Sequence, residues 1–290
     1  MRRITARTRF LGLPTGLFAG LWLMILLVAA GVTAPWISPH DPVEQHLEKR
    51  LSPPCPEFLL GTDALGRCVA SRLIYGIRPS VGISLSVTAL VAAVGMAVGM
   101  LSAYYRALDN IMMRVTDCFF AFPAIVLALV MIAILGPGIK SLVIALAVPG
   151  WPKYARVVRS VALSVKERGF VEATRAIGGR NTYILCRCML PAVWAPVMTI
   201  ATVGMGGKVI HIASLGFLGL GVQPPTPEWG TILNQGLPFL GIAPHISLSA
   251  GAFIMITVLS FTLVGEGLRE AADAKHNAPA MEQLLKVQIP

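Results

Sequence analysis

Lys208 and His211 stand three residues apart inside an apolar, glycine-rich stretch. On a helix that spacing places both on one face. Ionisable groups inside a membrane span are costly and rare, so they point to a path or to a paired site. One reading has Lys208 snorkelling towards the headgroups and His211 meeting a neighbouring carbonyl. The other has both lining a cavity, where the ammonium attracts an anionic group and a neutral imidazole suits a hydrogen bond or a metal chelate. Arg114 and Asp117 share the same spacing near the start of another apolar stretch, and read most simply as an interfacial ion pair. Glu228-Trp229 either meets a partner outside the bilayer or anchors at the interface, as tryptophan does.

Chemistry of other kinds finds no foothold. The sequence has no G-x-x-x-x-G-K-[ST] to cradle ATP, no H-E-x-x-H and no G-x-S-x-G. Its five histidines, at 40, 46, 211, 245 and 276, show no ligand spacing. Cys118 lies in an apolar block, where a thiol behaves as a small hydrophobe. Cys186 and Cys188 lack the second pair or histidine that a zinc site needs. Cys55 and Cys68 share one polar segment, which leaves a disulfide open, with free thiols as the default. No catalytic or metal-ligating residues are expected, and the chain reads as a non-enzyme.

The elements around these residues are membrane spans. Of 290 residues, 55% are hydrophobic and only 13% charged, against about a quarter charged in soluble domains. That excludes a soluble enzyme, a disordered chain and a disulfide-stapled secreted domain. The net charge of +10 belongs to loops beside spans rather than to a nucleic-acid surface. Apolar stretches fall at about 17–37, 80–105, 112–135, 141–160, 191–221 and 246–268, giving an all-α protein with six transmembrane helices. The first is too long for a cleaved signal peptide and reads as a signal anchor. Residues 1–16 and 269–290 are then tails, 38–79 an external, charge-balanced segment, and 80–268 the transmembrane domain. Lys and Arg decide the orientation. The N-tail holds four, 153–187 eight and the C-tail three, whereas 222–245 holds none, which places both termini in the cytoplasm. Glycines 82, 95, 99, 204, 206 and 207 would permit close helix approach.

Between the fourth and fifth stretches lies a basic, helix-prone segment, about 166–180. Phe170, Val171, Ala173 and Ile177 lie along one side and Gly178-Gly179 supplies a stop. Read alone, it is a solvated loop or a surface-lying helix. Glu172-Ala173, then Gly178, then Leu190-Pro191 resembles the EAA signature of ABC importer permeases. In that family this helix is the coupling helix, which docks into a cleft on the ATPase subunit. The run from Leu60 through Gly61-Thr62-Asp63 and Gly66-Arg67 to Arg78 is similar to a block of the peptide/nickel permeases of the DppC/OppC/NikC type. So is the run from Gly216 to Gly230, with lesser matches at Ala121-Phe122-Pro123 and Gly265 to Glu270. The departures are Thr174, Cys188 and Cys68, where the family carries Ala, an apolar residue and Asp, with Met189, Ala192 and Ala274 beside or beyond them.

The resemblance implies a MetI-like ABC permease fold in a bacterial inner membrane. It implies half of a translocation path for dipeptides, oligopeptides or nickel and other metal chelates. The implied partners are a homologous second permease, two ATPase subunits, a solute-binding protein and lipid, with no nucleic acid. Glu172, Ala173, Gly178, Leu190 and Pro191 become the ATPase-coupling residues, and Lys208 with His211 the path candidates. No cofactor is expected on this chain, because ATP and Mg belong to the ATPases. A secondary transporter driven by an ion gradient is the alternative. It calls for paired intramembrane acids, and Asp117 stands alone. A membrane-embedded enzyme would need a nucleophile–base or metal constellation.

Overall fold

Apolar sequence in lipid must satisfy its own backbone, so it coils, and the breaks in the coil fall where proline or glycine interrupts it. The structure, a computed structural model, describes the backbone of residues 9–10 and 13–287 and the side chains of residues 15–271. The N-tail arginines and His276 lie outside the described side chains.

A two-residue pairing, β1 (Arg9–Phe10) with β2 (Leu13–Pro14), precedes α1 (Thr15–Val32) and the short α2 (Ala34–Ile37). Residues 38–68 are irregular apart from one 3-10 turn, Leu47–Lys49. Then comes α3 (Val69–Tyr104), 36 residues long. It begins eleven residues before the expected second span. The reason is packing: Leu73 and Ile77 of its first turns are buried, so the polar start of this helix is held by the protein rather than by lipid.

Two expected spans are broken. The third divides into α4 (Arg106–Phe120) and α5 (Ala124–Leu135), bent by 87°. Pro123 disfavours helical geometry at Phe122 and brings no N–H of its own. The fourth divides into α6 (Ile139–Ala147) and α7 (Trp151–Lys166), where Pro149 and Pro152 withhold two donors from the ladder. After α7 come α8 (Gly169–Ala176), α9 (Asn181–Tyr183) and a π-helical stretch, Ile184–Met189. The chain ends with α10 (Leu190–Phe217), α11 (Trp229–Gly236) and α12 (Pro244–Val287). Among the described residues, four helices are long and apolar enough to cross a membrane, or five with the bent pair as one span.

Lipid offers helices little hydrophobic drive to associate, so close backbone approach matters more. On α3, a Cβ at Gly99 would stand 2.7 Å from Val158 Cβ, and one at Gly95 would overlap Tyr154. These two glycines seat α7 on α3. Gly20 and Gly267 do the same for α1 against α12, whereas Gly82 and Gly207 face open space.

Candidate functional site

The segment leaving α7 is built to project. Lys166, the last residue of α7, donates from Nζ to the carbonyls of Ala103 (2.9 Å) and Tyr104 (3.0 Å), closing the end of α3 with a cation. Three residues on, α8 begins. It ends where Gly178 turns left-handed at φ +81, with the Gly179 N–H on the Thr174 carbonyl at 2.9 Å, a closure that favours glycine. Of its expected apolar side only Val171 is buried; Phe170 is 49% and Ile177 86% exposed. The expected side is therefore not laid on the chain's own bundle. Glu172 and Ala173 are exposed beside it. Leu190 and Pro191 open α10, with proline in the first turn where its missing N–H costs nothing. A shallow groove of ≈ 730 Å³ runs alongside, lined by Ile177, Gly178, Arg180, Tyr183, Cys186 and Arg187.

Lys208 and His211 share a second feature, a cavity of ≈ 390 Å³ where the α4–α5 bend and the α6–α7 break meet α10. Phe120, Ile125 and Leu146 give it apolar walls; Lys153 and Tyr154 join the two candidates as its polar lining. Lys208 Nζ lies 5.5 Å from the centroid of the Tyr154 ring. The three-residue spacing thus places both candidates as one cavity face. The Arg114–Asp117 pair fails: Asp117 is bound instead by Arg156 of α7, which also lies over the Phe120 ring at 4.1 Å. The bend at Pro123 leaves α4 against α7, and the nearest cation is across that seam. Cys118 is exposed on the chain's own surface.

The end of the bundle around α11 and the start of α3 holds polar groups whose burial the sequence did not reveal. Glu228 and Trp229 are fully buried, so neither meets a partner or the headgroups. The Glu228 carboxylate accepts from the N–H groups of Gly230 (2.8 Å) and Thr231 (2.9 Å), capping α11. Burial pushes its pKa up against those donors. Trp229 Nε1 donates to the Leu73 carbonyl at 3.0 Å. Asp63, Arg67 and Arg72, read as part of a balanced loop, form a buried network. Arg67 Nε donates to Asp63 at 2.7 Å, Arg72 binds the same carboxylate, and both guanidiniums reach Gln235 Oε1 at 3.1 and 2.9 Å. The motif around Leu60 to Arg78 was the signal for this site. Cys55 and Cys68 are free thiols, and Cys68 sits at the N-cap of α3 without a side-chain hydrogen bond. Among the described residues no three His, Cys, Asp or Glu side chains could hold a metal ion.

Comparison with known proteins adds a family to this geometry. Residues 95–276 match the family described as binding-protein-dependent transport system inner membrane component. Residues 14–54 match the N-terminal TM domain of oligopeptide transport permease C. The chain is 39% identical over 267 residues to the di/tripeptide transport system permease protein DppC of Pseudomonas aeruginosa, covering 90% of this chain and 88% of that protein. It is also 39% identical to the glutathione transport system permease protein GsiD of Escherichia coli over 254 residues, 87% of this chain and 84% of that protein. In fold it resembles a chain of the MetNI methionine ABC transporter in an inward-facing conformation. The TM-score is 0.57 at 21% identity, over 69% of this chain and 95% of that one.

Proposed function

The chain belongs to the family of inner-membrane components of binding-protein-dependent transport systems, and from that premise we propose that it forms half of the path of an importer for small peptides. It is a permease subunit of an ATP-binding-cassette importer, a transport subunit of the inner membrane and not an enzyme. The peptide reading is supported by the di/tripeptide and glutathione permeases it resembles at 39% identity; the nickel or metal-chelate reading of the same family has no such support.

One observation carries the assignment of roles. Helix α8 stands off the bundle with Phe170 and Ile177 uncovered, bears Glu172-Ala173, and is closed by a left-handed Gly178. An exposed apolar helix face invites a groove in a partner, and here the partner is an ATPase subunit. In this account the bundle threads the membrane six times, with the α4–α5 and α6–α7 pairs counted as bent spans and both termini in the cytoplasm. A homologous second permease completes the path, and a solute-binding protein delivers cargo from outside. ATP closure of the ATPases draws the two α8 helices together. Lys166, Gly95 and Gly99 couple that movement into α3 and α7. Lys208 and His211 line the route.

The test is reconstitution of this chain with its partner subunits in proteoliposomes, followed by uptake of a labelled dipeptide. Uptake that needs ATP and the solute-binding protein supports the reading. Uptake driven by an ion gradient without ATP would favour the secondary transporter instead.

A further inference from the structure

The cavity beside α10 has an unbalanced lining. Its ionisable and hydroxyl groups are Lys153, Tyr154, Lys208 and His211, and no carboxylate lines it. None of the ion pairs among the described residues includes Lys208. An ammonium without a counter-charge at membrane depth is expensive, and it persists where something charged visits it. Tyr154 is 3% exposed, and its hydroxyl has no hydrogen-bond partner; buried hydroxyls are ordinarily paired. Gly204, one turn before Lys208, faces both groups. A Cβ there would stand 3.1 Å from the Tyr154 oxygen and 3.4 Å from Lys208 Nζ. The absent side chain keeps space between two donors.

We propose that this cavity holds an anion subsite, in which Lys208, with Tyr154 and His211 beside it and Gly204 keeping the space open, receives a carboxylate of a small peptide. The inference rests on the importer reading and names the cargo class within it: short peptides with surplus negative charge. The cavity volume of ≈ 390 Å³ falls in the range of small-molecule sites, about 300–1,000 Å³. Its apolar walls leave the remainder of the peptide loosely held, as release requires.

The experiment uses the complete importer in proteoliposomes and reads ATP-dependent uptake of Ala-Glu and Ala-Lys, expressed as a ratio. Each variant meets the same solute-binding protein, so a change in that ratio reports the permease alone. Lys208→Gln should lower the Ala-Glu to Ala-Lys ratio about tenfold, the loss of one hydrogen bond to a charged group, and Lys208→Arg should restore most of it. Gly204→Ala, which adds one methyl in a helix and fills the space between the donors, should lower the ratio in the same direction and covers the case in which Lys208→Gln does not assemble. An unchanged ratio, with both peptides falling alike or neither falling, overturns the subsite and leaves Lys208 as packing or as the partner of an acid on the second permease. A wild-type importer that takes up neither peptide with ATP overturns the peptide reading itself, a distinguishable failure.

Discussion

Lys166 and Tyr104 join the last turn of α7 to the end of α3: the lysine ammonium donates to the Tyr104 carbonyl at 3.0 Å and lies 5.7 Å from the ring centroid. Because α8 starts three residues after Lys166, any pull on α8 reaches the 36-residue α3 through this contact. Lys166→Met keeps the aliphatic stem and removes the donor. It should lower the stability of the purified complex by about 1–3 kcal/mol, read as a lower unfolding temperature. An unchanged temperature would show that the ammonium contributes nothing there.

Orientation is testable by labelling. Thr231 is tied to Glu228 through its N–H and hydroxyl, so a cysteine there would disturb the α11 cap. Thr226, exposed in the same loop, is the better site. In a cysteine-free variant, a cysteine at 226 should react with an impermeant reagent from outside, and one at the exposed Arg180 position should not. Labelling at 180 from outside would reverse the topology.

The buried Glu228 carboxyl has its pKa raised by desolvation, so the native state holds its proton more tightly than the unfolded chain does. Stability from this group is then greatest at acid pH and declines as pH rises from the unfolded value through the folded one. As pH rises above the ordinary carboxylate range, the wild type should lose stability that Glu228→Gln does not lose. Parallel pH profiles for the two proteins would contradict the assignment.

Cys68 occupies the N-cap of α3 with no side-chain hydrogen bond. Cys68→Asp supplies an acceptor for the orphan N–H groups of the first turn, beside Arg67 and Arg72, and should stabilise by about 1 kcal/mol. A lower unfolding temperature would mean that burying another carboxylate outweighs the cap.

The apolar runs made the all-α bundle legible, and Gly178 was legible as a helix stop because left-handed backbone favours glycine. The one-face pairing of Lys208 with His211 followed from helical spacing alone. The breaks at Pro123 and Pro149 were missed, since hydropathy continues unchanged through a proline while the hydrogen-bond ladder does not. Arg114 and Asp117 were paired by proximity in sequence, but the bend brought Arg156 closer. Glu228 and the Asp63–Arg67–Arg72 cluster were read as surface charge, because burial of a carboxylate depends on donors that arrive from distant segments. Gln235, which joins the last cluster from α11, carries no signal of its own in the sequence.

The central claim is that α8 transmits the ATPase stroke, and Gly178 is its most exacting position. A β-branched residue cannot take φ +81 cheaply, and nothing lies within 4 Å of a Cβ there, so Gly178→Val strains the helix end without a clash in the core. The decisive measurement is cargo-stimulated ATP hydrolysis together with dipeptide uptake by proteoliposomes carrying the assembled variant importer. The account predicts normal membrane insertion with loss of both stimulation and uptake. Wild-type stimulation and uptake per assembled complex would contradict it.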